Sequence, residues 1–266
     1  MSRMSSSSVG DGGGDAHGLL RERHGAFVVW RQDSAEARNL LARLLPDPDR
    51  LLTAGEHLPS PWCCTTTDKV RIIVDSQPYF LKRYNCGGWL YRFKNAFRPS
   101  RALRSWRAAE HFAERGVPTP KPLLCLEVRH LRLLGRSYIL FPFLSGAAGS
   151  FLDLWPSLDE VQKRECLQQL GVVIGRMHGQ GLLHGDLNWR NILAVRSGLE
   201  FRFHVVDLDG SRHTAKMIPD DAIRDLDHFL RDLERSGADP DLRAVFLDRW
   251  RREVPFVASQ SLCLKE

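Results

Sequence analysis

Short apolar runs suited to strands dominate the first half of the chain, and longer one-sided apolar stripes suited to helices dominate the second. AFVVW (26–30) predicts a strand. Ser34 is placed to cap the helix AEARNLLARLL, which PDPD stops from Pro46. VRIIV (70–74), the turn DSQP and YFLKRY (79–84) predict a β-hairpin. Ser100 then opens a helix with Trp106, Ala109 and Ala113 on one face, and Gly116 closes it at the C′ position ahead of VPTPKP. LLCLEV and LRLLGRSYILFPFL supply two further strands. Beyond Pro156, Ser157 and Glu160 read as an S-x-x-E capping box that opens a long helix, with Leu167, Leu170, Ile174 and Met177 on one stripe. ILAV and FHVVD are short strands either side of a turn at RSG, and helices near 220–235 and 239–251 follow.

This order predicts an α+β fold of two lobes. Residues 1–18 are rich in Ser and Gly, offer nothing to bury, and are expected to form a disordered tail. Residues 19–144 form a small β-rich N-lobe with one important helix, and residues 145–266 a helical C-lobe whose short hairpin bears polar loops. A cleft between them is expected near Phe141–Gly149. With 266 residues, 43% of them hydrophobic and 26% charged, the chain can bury a full core. Its six cysteines include no C-x-x-C pair, which argues against a zinc site or a disulfide framework and for a reducing, cytoplasmic home. The N-terminus has no apolar core of the signal-peptide kind, and the longest uncharged stretch, Ser137–Leu152, is short and broken by Pro142, Gly146 and Gly149. Neither a signal peptide nor a transmembrane helix is expected.

One loop concentrates chemistry. HGDLNWRN (184–191) follows the long helix and precedes ILAV, and Asp207 ends the next strand in HVVDLDG. Phosphoryl transfer from ATP needs a carboxylate to accept a hydroxyl proton, an Asn carbonyl for Mg²⁺ and a second carboxylate for the metal. Asp186, Asn191 and Asp207 supply these types in that order. A cation for the nucleotide phosphates is also needed, and Lys82 stands mid-strand in YFLKRY, with Phe80 on its face and Arg83 on the opposite one. Asp209 reads as a loop residue rather than a further metal ligand.

YFLKRYN, FRPSRALRSWRAAEHFAERGVPTPKPL, LLHGDLNWRNIL and VVDLDGSR together resemble the bacterial lipopolysaccharide-core kinases, the Kdo/WaaP or InaA-type branch of the protein-kinase-like fold. The resemblance covers roughly residues 25–250, and four motifs agree in order and spacing. It implies transfer of the ATP γ-phosphate to a hydroxyl of Kdo or heptose in the inner core, on the cytosolic face of the inner membrane. On this resemblance Lys82 is the strand lysine that holds nucleotide phosphate, Asp186 the catalytic aspartate, Asn191 and Asp207 the metal ligands, and His184 the residue that holds the catalytic loop. Two positions depart from the pattern. The helical Glu that pairs with the strand lysine is expected where Ser105 stands, and Glu110 lies five residues round the helix. No G-x-G-x-x-G loop precedes the hairpin; WCCTTTDKV stands there instead, and Thr65, Thr66 and Thr67 are the candidate phosphate contacts. Asn188 is a candidate for the γ-phosphate or the catalytic aspartate, with an Asx-turn as an equal contender.

Charge adds a partner. Between residues 82 and 107 stand Lys82, Arg83, Arg92, Lys94, Arg98, Arg101, Arg104 and Arg107 with no Asp or Glu, more than the net +6 of the whole chain. Interleaved with Trp89, Tyr91, Phe93 and Phe97, they suit an anionic lipid-linked acceptor or a bilayer surface, or else form a solvated helix face. No nucleic-acid module accompanies them. Two other functions remain open. One is a kinase of another small molecule or of a protein, and the other is an ATP-binding pseudokinase with a scaffolding or stress-response role.

Overall fold

The computed structural model describes residues 19–45, 47–58, 66–144, 146–198 and 200–254, with the backbone alone for Leu90, Tyr91, Lys94 and Ala148. The predicted tail, residues 1–18, and Thr65 lie outside the described residues. The chain divides into two compact units, residues 1–106 with 122–143 and residues 107–121 with 144–266.

In the first unit, β1 (Leu19–His24) and β2 (Phe27–Gln32) lead into α1 (Ala35–Leu44) and α2 (Pro48–Ala54). Next come β3 (Glu56–His57), β4 (Thr67–Val74), β5 (Gln77–Tyr84), α3 (Trp89–Lys94), α4 (Arg101–Glu114), β6 (Leu124–His130) and β7 (Leu133–Pro142). The strands form one antiparallel sheet in the order β1-β2-β6-β7-β5-β4-β3. Side-chain alternation sorts its residues onto two faces. Val29, Leu81, Leu124, Leu126 and Leu140 pack with Leu40, Leu41, Leu44 and Leu52 of α1 and α2. Val28, Trp30, Tyr84, Cys125 and Ile139 pack with Ala102, Leu103 and Trp106 of α4.

The predicted caps at Ser34 and Ser100 are present: Ser34 Oγ accepts from the Ala37 amide at 3.0 Å, and Ser100 Oγ from that of Leu103 at 3.0 Å. Gly116 ends α4 at φ +72, with the Val117 amide bonded back to the Phe112 carbonyl. Two elements go beyond the sequence pattern. β1 is a polar edge strand, LLRERH, held by the Arg31–Glu22 ion pair as well as by its ladder. α2 is nucleated by Asp47, whose side chain caps the Asp49 amide, with Pro48 in its first turn. Asp49 then accepts from Arg83, Arg136 and Tyr138. Burial opposes ionisation of Asp49, but these bonds and the Arg83 and Arg136 charges outweigh it and hold the carboxyl below its usual range.

In the second unit, β8 (Ala147–Ser150) and α5 (Phe151–Leu154) precede α6 (Glu160–Gly179), β9 (Leu182–Leu183), β10 (Ile192–Ser197), β11 (Glu200–Val205), β12 (Arg212–His213), α7 (Pro219–Arg235) and α8 (Pro240–Glu253). Ala109, Phe112 and Val117 belong to its core, which is why the end of α4 counts with this unit. The expected Ser157–Glu160 capping box is corrected. Trp155–Ser157 form a 3-10 turn in which the Ser157 hydroxyl donates to the Leu154 carbonyl at 2.7 Å. Asp159 caps α6 instead, in a reciprocal box with Gln162, because the turn at Pro156 has already consumed Ser157. The predicted stripe of α6 is wholly buried. Gly171 and Gly175 let α8 approach closely: a Cβ on Gly175 would lie 2.6 Å from that of Glu253.

Candidate active site

The loop after β9 is built by three kinds of constraint. Gly185 has φ +83, and a Cβ there would meet the Gly210 carbonyl oxygen at 2.6 Å, so the turn admits no side chain. His184 is buried, and its Nε2–H donates to the Val206 carbonyl at 2.9 Å. Trp189, at 0% exposure, sinks into an aromatic cluster with Phe151, Trp155 and Phe229. A loop rich in reactive side chains is therefore anchored by its most apolar member.

α7 lays one face along this loop. Asp225 accepts the His184 and Gly185 amides at 2.8 and 2.7 Å, and Asp232 accepts the Trp189 amide at 3.0 Å. Between them, His228 Nδ1 lies 3.1 Å from Asp186 Oδ1. Asp225 also bonds His178 Nε2 at 3.1 Å, while Trp250 donates to His178 Nδ1 at 2.9 Å. Since an indole N–H can only donate, Nδ1 of His178 accepts and Nε2 carries the proton to Asp225. Burial alone would raise the Asp225 carboxyl; the His178 bond and the two amides outweigh it and hold it below the usual carboxylate range. The sequence reading missed Asp225, His228 and Asp232. Their signal is a spacing of three and then four residues, which places polar groups on one stripe of a helix alongside buried Leu226 and Phe229.

Asp186 is held open to solvent by its neighbours. Asn191 Nδ2 donates to its carbonyl oxygen at 2.9 Å and to Oδ2 at 3.2 Å, and Asn188 Nδ2 donates to Oδ1 at 3.0 Å. Asn188 also caps the short turn Trp189–Asn191 through Oδ1, which accepts the Arg190 amide at 3.1 Å. Both ends of its amide are thus engaged inside the loop. β10 and β11 pair Ile192 with Val205, and the Val206 amide bonds the Asn191 carbonyl at 2.9 Å, so Asn191 and Asp207 emerge at the same end of the ladder. Asp207 adopts the left-handed conformation, φ 66, which costs a non-glycine residue of order 1–3 kcal/mol and is typical of functional turns. With Nδ2 of Asn191 committed to Asp186, its Oδ1 is a hard oxygen acceptor at the end of the ladder from which Asp207 also emerges, and oxygens of this kind are what Mg²⁺ takes as ligands. Asp209 belongs to the 3-10 turn Leu208–Gly210.

In the first unit Lys82 is 3% exposed on β5, and its Nζ stands 4.6 Å from the Tyr84 ring. Arg83 turns to the other face and pairs with Asp49 and Asp68. Ser105 is buried where the helical Glu was expected, so no carboxylate reaches Lys82 from that position. Of the threonines, Thr66 accepts the Asn85 amide through its backbone carbonyl, and Thr67 pairs with Tyr84 in the sheet.

This α+β chain has a kinase-like fold. A solved structure of WaaP in complex with acyl carrier protein superposes with a TM-score of 0.57 over 77% of this chain and 83% of that one; at 21% identity the likeness concerns the fold. Residues 78–247 match the Lipopolysaccharide kinase (Kdo/WaaP) family, and the chain belongs to that family. Among curated relatives, a 3-deoxy-D-manno-octulosonic acid kinase of Xylella fastidiosa (strain M23) is 30% identical over 151 residues, 56% of either chain. One of Mannheimia succiniciproducens is 26% identical over 165 residues, 60% of this chain and 66% of that one. The chain thus spans little more than half the length of the Xylella relative it matches.

Proposed function

We propose that this protein is an ATP- and Mg²⁺-dependent kinase that phosphorylates a hydroxyl of Kdo or heptose in the lipopolysaccharide inner core. The observation that carries this reading is the Asp186–Asn191 pair, in which one side chain presents the carboxylate and the other is fixed by it. Asp186 accepts the proton of the acceptor hydroxyl and orients its oxygen for attack. Asn191 and Asp207 would hold Mg²⁺, which when bound neutralises charge developing on the phosphates. Lys82 would hold the nucleotide phosphates, and its burial limits competition from water. Asn188 and His228 both bond Oδ1 of Asp186 and so fix the orientation of its carboxylate.

The acceptor is lipid-linked in this reading, and the protein works in the cytoplasm at the cytosolic face of the inner membrane, with residues 82–107 in peripheral contact. Among the described residues no helix is long and apolar enough to cross a membrane. Acyl carrier protein, the companion of WaaP in the solved complex, is the protein partner to test against the same stretch. Mass spectrometry of lipopolysaccharide from a strain lacking this protein tests the proposal: the inner core is expected to lose one phosphate, restored by the wild-type chain and not by Asp186→Ala. An unchanged inner core contradicts it.

A further inference from the structure

We infer that the first unit carries a bilayer-insertion face assembled from two separate segments, α3 with the turn after it and the tip of the β6–β7 hairpin. The inference rests on the lipid-linked acceptor proposed above only for its purpose.

Trp89, Phe93 and Phe97 recur every four residues and are 74%, 73% and 83% exposed. Aromatic side chains of this size ordinarily lie in a core, and three exposed within nine residues mark a contact waiting for a partner. Leu131 at the hairpin tip is 95% exposed. It has φ +47 and the following Arg132 has φ +73, a turn that favours Gly or Asn, so a leucine there gains nothing in the folded chain. The two segments are fastened together. Arg129 donates to the Ala96 carbonyl at 2.9 Å and to the Arg98 carbonyl at 2.8 Å, and the Arg132 guanidinium lies 5.7 Å from the centre of the Phe97 ring.

Charge selects the occupant. Residues 82–107 contain no acid, and neither do residues 128–136; there Arg129 and Arg136 are paired with Glu127 and Asp49, and Arg132 lies beside Phe97. Arg98 follows Phe97 in the chain, and Arg132 lies over its ring. That geometry suits the headgroup and acyl boundary of an anionic bilayer, where Trp and Phe partition and arginines meet lipid phosphates. The sequence suggested a contact through the cations and interleaved aromatics of residues 82–107. The structure adds that Trp89, Phe93 and Phe97 are exposed and brings in Leu131, which lies outside that stretch.

The test uses the full chain with vesicles of phosphatidylcholine alone or mixed with phosphatidylglycerol, some carrying brominated acyl chains. Wild type is expected to co-sediment with the mixed vesicles, and brominated lipid is expected to quench tryptophan emission in wild type but much less in Trp89→Phe. The triple variant Trp89→Ala/Phe93→Ala/Phe97→Ala and the single variant Leu131→Ser should each lose about tenfold or more in partitioning, with an unchanged melting temperature. Arg98→Glu with Arg132→Glu should weaken binding chiefly at low salt. Partitioning unaffected by the aromatic and Leu131 substitutions would overturn insertion. So would failure to bind vesicles in a preparation that binds the carrier protein through the same residues. Phosphorylation of soluble Kdo is followed in parallel. If no acceptor is phosphorylated while vesicle binding depends on these residues, the functional reading falls and the insertion face stands.

Discussion

Trp189 and Trp89 each stand within three residues of an arginine and do opposite things. Trp189 is flanked by Asn188 and Arg190, yet it is fully buried against Phe151, Trp155 and Phe229 and fixes the loop that carries Asp186. Trp89 opens a short helix of aromatics and cations and is three-quarters exposed. What separates them lies outside their own segments. The Trp189 loop is met by a helix whose polar stripe answers its backbone amides and whose apolar stripe closes over the indole. Among the described residues Trp89 gains no such cover and stays exposed, while the sheet's two faces pack against α1, α2 and α4. An aromatic residue is an anchor only when a second element arrives to bury it.

The largest expected effect tests that contrast from the buried side. Trp189→Ala removes an indole from a packed cluster and should cost about 3–5 kcal/mol of stability, read by denaturant unfolding of the whole chain. A loss below about 1 kcal/mol would mean that the loop does not depend on its anchor.

Asp225→Ala comes next, since it strands two buried amides and His178; about 3 kcal/mol is expected. The sign with pH follows from the lowered carboxyl. Its folded-state pKa is below the unfolded value of about 4, so its contribution is fully present above pH 4 and is lost as pH falls through the lower folded pKa. The stability gap between wild type and Asp225→Asn should therefore hold from neutral pH down to about 4 and narrow below it. A gap that stays constant into strong acid would contradict the role given to the charge.

His228→Ala should leave stability nearly unchanged while lowering turnover about fivefold, the value of one hydrogen bond of about 1 kcal/mol. His228→Asn, which can still donate, should recover part of the rate at unaltered acceptor KM. Equal turnover in all three would assign the contact to chance. The smallest effect belongs to the exposed side: Trp89→Ala should move stability by no more than about 0.5 kcal/mol. A larger loss would show that this indole is already an anchor and would erase the contrast.

The legible parts of the fold were those governed by local periodicity. Lys82 and Arg83 parted to opposite faces as a strand requires, and the α6 stripe and the caps at Ser34 and Ser100 followed from spacing alone. The α6 start failed because S-x-x-E and D-x-x-Q overlap there, and a 3-10 turn at Pro156 decided between them. β1 escaped notice because its ladder and the Arg31–Glu22 pair, rather than apolar alternation, hold it. In the candidate site, Asp186, Asn191 and Asp207 stood out through their order. Asp225 and Asp232 did not, since their partners are backbone amides about forty residues earlier, and no residue type advertises an amide.

The central claim is that Asp186 deprotonates a sugar hydroxyl. The most direct measurement is phosphate transfer from ATP to a Kdo-bearing acceptor by wild type and by Asp186→Ala, with nucleotide affinity and melting temperature recorded on the same samples. Loss of a positioned base is expected to lower transfer about 10²- to 10⁴-fold while affinity and melting temperature stay near wild type. Transfer at the wild-type rate by Asp186→Ala would contradict the account.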